Sequence, residues 1–116
     1  MSDVVVTINV DLKSGRIDRS QDPPIAVEVG SRLVWQCDNA EFAVVDIKKQ
    51  CPSSCAPHPD NPFEEPLKNR FTDRGTQLGS TRAKKEARGC RYKTTWVTRT
   101  PDGIVDAWDP HFIVWP

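Results

Sequence analysis

A chain of 116 residues with 16 basic and 16 acidic side chains, 37% hydrophobic and 28% charged, is long enough to bury one core and too short for two. Ten prolines, four tryptophans and four phenylalanines exclude a disordered chain. No basic stretch leads into a longer apolar one at the N-terminus, and no apolar run approaches the roughly 20 residues that span a bilayer. The expectation is therefore one domain over residues 1–116, cytoplasmic and without a membrane partner.

Taken in chain order, the elements read as strands. Val4, Val6, Ile8, Val10 and Leu12 alternate with Val5, Thr7, Asn9 and Asp11, the period of a strand with one buried face. Ile25, Val27 and Val29 alternate again, and Gly30-Ser31 marks a tight turn into Leu33, Trp35 and Cys37, which predicts a hairpin. Phe42 to Ile47 predicts a further strand. Pro52, Pro57, Pro59, Pro62 and Pro66 then impose a proline-rich loop. Thr76 to Thr81 predicts a short strand, Arg82 to Arg88 at most a short helical turn, and Gly89 its end. Tyr92, Thr94, Trp96 and Thr98 alternate with charged and polar neighbours, "TPDG" at 100–103 turns the chain into Ile104 and Val105, and Phe112 to Trp115 closes it. Seven to eight short strands with regular turns predict an all-β, antiparallel sandwich.

The stretches "IAVEVGSRLVWQC", "FAVV", "NPF", "GCRYKTTWV" and "DPHFIVWP", in that order, resemble the cupredoxin-like (plastocyanin-type) Greek-key β-sandwich, across nearly the whole chain. The resemblance implies the fold but no copper. A blue-copper centre needs two imidazoles and a thiolate, usually with a methionine. Where the family has its first histidine this chain has Phe42, Ala43, Val44 and Val45, the place of the copper cysteine falls near Trp96, and the only methionine is Met1. The expectation is a domain without cofactor.

"QCPSSCAPHPDNPF", residues 50–63, places Cys51, Cys55 and His58 within nine residues, a spacing from which thiolates and an imidazole can reach one zinc ion. A closed site needs a fourth ligand, and Cys37, Asp60, Glu64, Cys90 and His111 are available without a diagnostic spacing. The competing readings are a Cys51/Cys55 redox pair and, preferred here, a loop over the sandwich edge with Phe63 in the core and His58 in solvent. A domain with a core of its own in a reducing compartment needs no staple, so four free thiols are expected, Cys90 among them as a small buried hydrophobe.

No serine sits in a Gly-x-Ser-x-Gly elbow and no glycine-rich phosphate loop occurs, so the reading is non-catalytic. Charge is unevenly spread: residues 1–67 carry 6 basic and 11 acidic side chains, residues 68–99 carry 10 and 2, and residues 100–116 none and 3. The preferred expectation is that Glu28, Glu41 and Asp46 fold against the basic third, leaving a binding or protein-interaction module whose partner is another protein. The alternatives are a zinc protein using the Cys51/Cys55/His58 loop and an anion or nucleic-acid binder using residues 68–99, with Arg82, Lys84, Lys85 and Arg88 as its contacts.

Overall fold

In the computed structural model the described residues are 3–19, 25–50, 57–67 and 71–115. Alternation is obeyed at once: in β1 (Val4–Ile8), Val6 and Ile8 are buried while Val5 is exposed. The chain continues through β2 (Ile25–Val27), β3 (Arg32–Cys37), β4 (Glu41–Lys49) and β5 (Gln77–Arg82). A single 3-10 turn (Lys85–Ala87) precedes β6 (Arg91–Arg99), β7 (Val105–Trp108) and β8 (His111–Val114). The expected all-β class holds, and no helix among the described residues is long and apolar enough to cross a membrane.

The sheets are mixed, not antiparallel throughout. One has the order β1-β3-β5, with β1 parallel to β3 and β5 antiparallel to it; the other has β2-β8-β6-β4, with β2 parallel to β8 and β7 also paired to β6. Nor do residues 25–37 form a hairpin. The turn at Gly30-Ser31 closes by Ser31 N–H to Glu28 O at 3.0 Å, but β2 goes to β8 and β3 to β1 and β5. The turn carries the chain from one sheet to the other, because Gly30 N–H and Ser31 O are taken by Ala83 at 2.9 Å each, anchoring the connection to the end of β5.

β6 is the spine of the larger sheet. One edge pairs with β4 along its length, and the other is shared by β8 at Arg91–Lys93 and β7 at Trp96–Arg99. A register shift between Val44 and Asp46 in β4 inserts one extra residue and rephases the strand. Val44 opposite Trp96 and Ile47 opposite Thr94 therefore both face inward, and Asp46 faces out. The core lies between the sheets: Val6, Ile8, Leu33 and Trp35 from the smaller meet Val44, Tyr92, Trp96 and Phe112 from the larger, all nearly inaccessible. Each such side chain contributes up to about 1.5–3 kcal/mol by leaving water. Phe63 joins them, stacked on Phe112 with ring centroids 5.8 Å apart, as the sequence leads one to expect.

Candidate anion-binding surface

The segment after β5 is held by its backbone and free in its cationic side chains. Lys84 N–H donates to Pro62 O at 2.8 Å, Ala87 N–H to Lys84 O at 3.1 Å and Gly89 N–H to Val114 O at 2.7 Å. Ala83 and Ala87 are the inward pins, both buried, so a chain of alternating purpose results: small residues face the core and Arg82, Lys85 and Arg88 stand in solvent, with Lys84 half-buried. His58 braces this turn from the proline-rich loop. Its Nε2–H donates to Arg88 O at 2.9 Å, its own carbonyl accepts from Lys49 Nζ at 3.2 Å, and Tyr92 Oη–H donates to Pro59 O at 2.8 Å. His58 is thus not the solvent-facing residue expected; its Nδ1 is buried.

Of the acidic residues expected to fold against the basic third, Glu41 does so only at its far end, at Arg99, and Asp46 does not. Glu41 binds Arg99, with Arg99 Nε 2.7 Å from Glu41 Oε2, and Asp46 binds Lys48 at 3.4 Å. Arg19, Arg32, Lys49 and Lys93 are also in ion pairs. Arg82, Lys84, Lys85, Arg88 and Arg91 have no ion pair among the described residues. Their acidic neighbours are Glu86 in the same turn and Glu64 and Glu65 on the strip beside β5, where Glu64 N–H donates to Arg82 O at 3.0 Å.

From Arg91 the cations continue onto the outer face of the larger sheet. Alternation along β6 points Arg91 and Lys93 outward while Tyr92 is buried. Lys93 has Lys48 of β4 as its cross-strand partner on one side and His111 of β8 on the other, and Arg91 stands opposite Ile113. Beyond Ile113 on the same side, Trp115 is 57% exposed, whereas Trp35 and Trp96 are 1% and 2%. The signal for Arg91 and Lys93 was present in the alternation of "RYKTTWVTR"; that Lys48, His111 and Trp115 join them depends on strand register, which one sequence does not encode legibly.

The metal candidates do not converge where they can be followed. Cys51 and Cys55 lie outside the described residues, and those described contain no group of three or more His, Cys, Asp or Glu side chains able to share an ion. His111 is on the outer face and Cys37 is buried and free. Burial pushes the Cys37 thiol up, against weaker opposing hydrogen bonds from Asn39 and Ala40. Cys90 is disulfide-bonded, which corrects the expectation of a free thiol; its partner lies outside the described residues. The physical reason is proximity: Gln50 N–H donates to Arg91 O at 3.0 Å, so the chain enters the loop alongside Cys90. Trp96 stands in the core against the edge of Trp108, with ring centroids 5.6 Å apart.

A cavity of about 550 Å³ lies at the other end of β6 beside Arg99, Glu41, Asp73 and Arg74. Its Arg99–Glu41 wall is internally neutralised. No protein-family model matches the chain, and it matches no curated protein or solved structure.

Proposed function

We propose that the chain is a non-catalytic binding module, a copper-free β-sandwich of cupredoxin-like Greek-key kind, which engages a polyanionic partner through the turn bearing Arg82, Lys84, Lys85 and Arg88. The kinship is supported by the order of the strand motifs and by the core built from Trp35, Tyr92 and Trp96. The binding role is carried by one observation: these cations are without ion pairs among the described residues, while the cations around them are matched with carboxylates. Matched pairs at a surface spend their field on each other; unmatched ones project it into solvent and raise the local concentration of anions.

The test is retention on immobilised heparin at about 50 mM salt, compared with the Lys84→Glu, Lys85→Glu, Arg88→Glu triple variant. Wild type is retained and elutes as salt rises, and the variant passes through with an unchanged melting temperature, since exposed surface substitutions cost little. Equal behaviour of the two proteins would remove the turn as the contact and leave an uncharged, protein-facing role.

A further inference from the structure

We propose that the polyanion is a single-stranded nucleic acid lying on the outer face of the larger sheet, its phosphates on Arg91, Lys93 and Lys48 and one base stacked on Trp115. The inference rests on the binding role of the basic turn and extends it along β6. Three observations carry it.

Lys48 and Lys93 are direct cross-strand partners, with His111 next in the same row. Like charges directly opposite one another destabilise a sheet unless something offsets them. What offsets them internally is weak: Asp46 reaches Lys48 at 3.4 Å with the two side chains 44% and 70% exposed, and Asp109 reaches Lys93 only at 3.9 Å. Solvated pairs of this kind hold their partners loosely, so an incoming phosphate can displace the carboxylates of Asp46 and Asp109 or share the lysines with them.

The cations lie on a flat strand face, not in a groove. Arg91 and Lys93, two residues apart on β6, are spaced by about 6.6 Å, and Lys48 lies one strand spacing, about 4.8 Å, to the side. An extended strand can follow such a track, whereas a duplex is read by an element that enters its groove, and no projecting helix is present among the described residues.

The exposed ring decides between nucleic acid and acidic protein. Non-specific single-strand binders combine a cationic track with an aromatic side chain offering a stacking face to any base. Trp115 provides that face in the column of His111 and Ile113, directly beyond the row containing Arg91, with its backbone N–H donating to Val27 O at 2.9 Å. Glu28, next to Val27, is the acidic residue at that end and limits the track there.

The experiment titrates the full chain with a thymidine oligonucleotide of about 12 residues, following tryptophan emission and, in parallel, the anisotropy of the same oligonucleotide carrying a dye. Saturable quenching is expected, with a slope of log affinity against log salt near −2 for three phosphate contacts at about −0.7 each. Trp115→Phe should abolish the quenching but keep the anisotropy change. Trp115→Ala should weaken binding roughly tenfold, and Lys93→Glu should flatten the salt slope. Heparin retention without quenching or anisotropy change would overturn this inference and spare the binding role of the turn. Loss of both would overturn both, and quenching that persists in Trp115→Phe would move the base away from the proposed face.

Discussion

Arg19 and Asp106 join the segment after the first turn to β7 across 87 residues of sequence. The guanidinium approaches the carboxylate at 3.0 and 3.3 Å, donates again to Ala107 O at 2.9 Å, and lies 5.8 Å from the centroid of Trp108. Ile17 N–H donates to the same carboxylate at 2.8 Å. Burial alone would raise the Asp106 carboxyl, but the Arg19 hydrogen bond, the backbone donors of Ile17 and Ala107 and the Arg19 charge outweigh it and hold the group below its ordinary 3.8. A depressed carboxylate contributes stability that is fully present above its unfolded value and is lost as pH falls through the folded one. Asp106→Asn should therefore cost on the order of 1 kcal/mol at neutral pH, the partial exposure of the pair discounted. The gap from wild type should close as pH drops below about 4. A gap independent of pH in acid would show that the carboxylate's charge is not what the cluster uses.

Tyr92 is the only tyrosine in the chain, so its ionisation can be read without assignment. Burial first and the nearby Asp60 charge second push its phenol up to about 12. Absorbance of the phenolate should rise near pH 12 in the native protein and near the ordinary value of 10 in denaturant. Because the folded state holds this proton more tightly, stability should begin to fall as pH passes about 10. Native titration at the ordinary value would mean that the hydroxyl is in solvent and not on Pro59 O.

β6 was readable because both its signals agree: alternation over nine residues and a turn at "TPDG", where Gly103 N–H indeed donates to Thr100 O at 2.9 Å. What alternation cannot carry is the identity of the neighbour. Val27 and Leu33 both announce buried strand faces, yet Val27 pairs with Val114 and Leu33 with Val4, and local reading joined β2 and β3 because they are near in sequence. The site divided the same way. Arg82, Lys84, Lys85 and Arg88 were legible as a local run, and their lack of ion pairs among the described residues was not, because Glu41 and Asp46 could be assigned partners only with the β4 register in hand. The disulfide was misjudged on composition, since a core sufficient for folding says nothing about which thiols are neighbours.

Thiol counting checks that correction. With Cys90 disulfide-bonded and Cys37 free among the described residues, the expected outcome for the chain's four cysteines is one bridge and two thiols. Alkylation of unreduced, denatured protein should add two labels, and in the native state Cys37 should resist labelling because it is buried with its thiol pushed up. Reduction should cost about 2–4 kcal/mol and lower the melting temperature by roughly 10 °C. Four labels without reductant would restore the all-thiol reading and with it the argument for a reducing compartment.

Two glycines separate backbone strain from packing. Gly15 (φ 74°) and Gly75 (φ 77°) both occupy the left-handed region, where any side chain adds strain of about 1 kcal/mol. A Cβ on Gly75 would meet nothing within 4 Å, whereas one on Gly15 would run into Cγ2 and Cβ of Ile104. Ile104 follows the Thr100–Gly103 turn, tied by its N–H to Thr100 Oγ1 at 3.0 Å, so it has little room to retreat. Denaturant unfolding should give Gly75→Ala a loss of about 1 kcal/mol and Gly15→Ala a further 1–3 kcal/mol from overpacking. Shortening Ile104 to alanine in the Gly15→Ala background should return that further part and leave the backbone part. If the two single substitutions cost the same, Ile104 does not rest on Gly15, and the first turn is not packed against the loop that precedes β7.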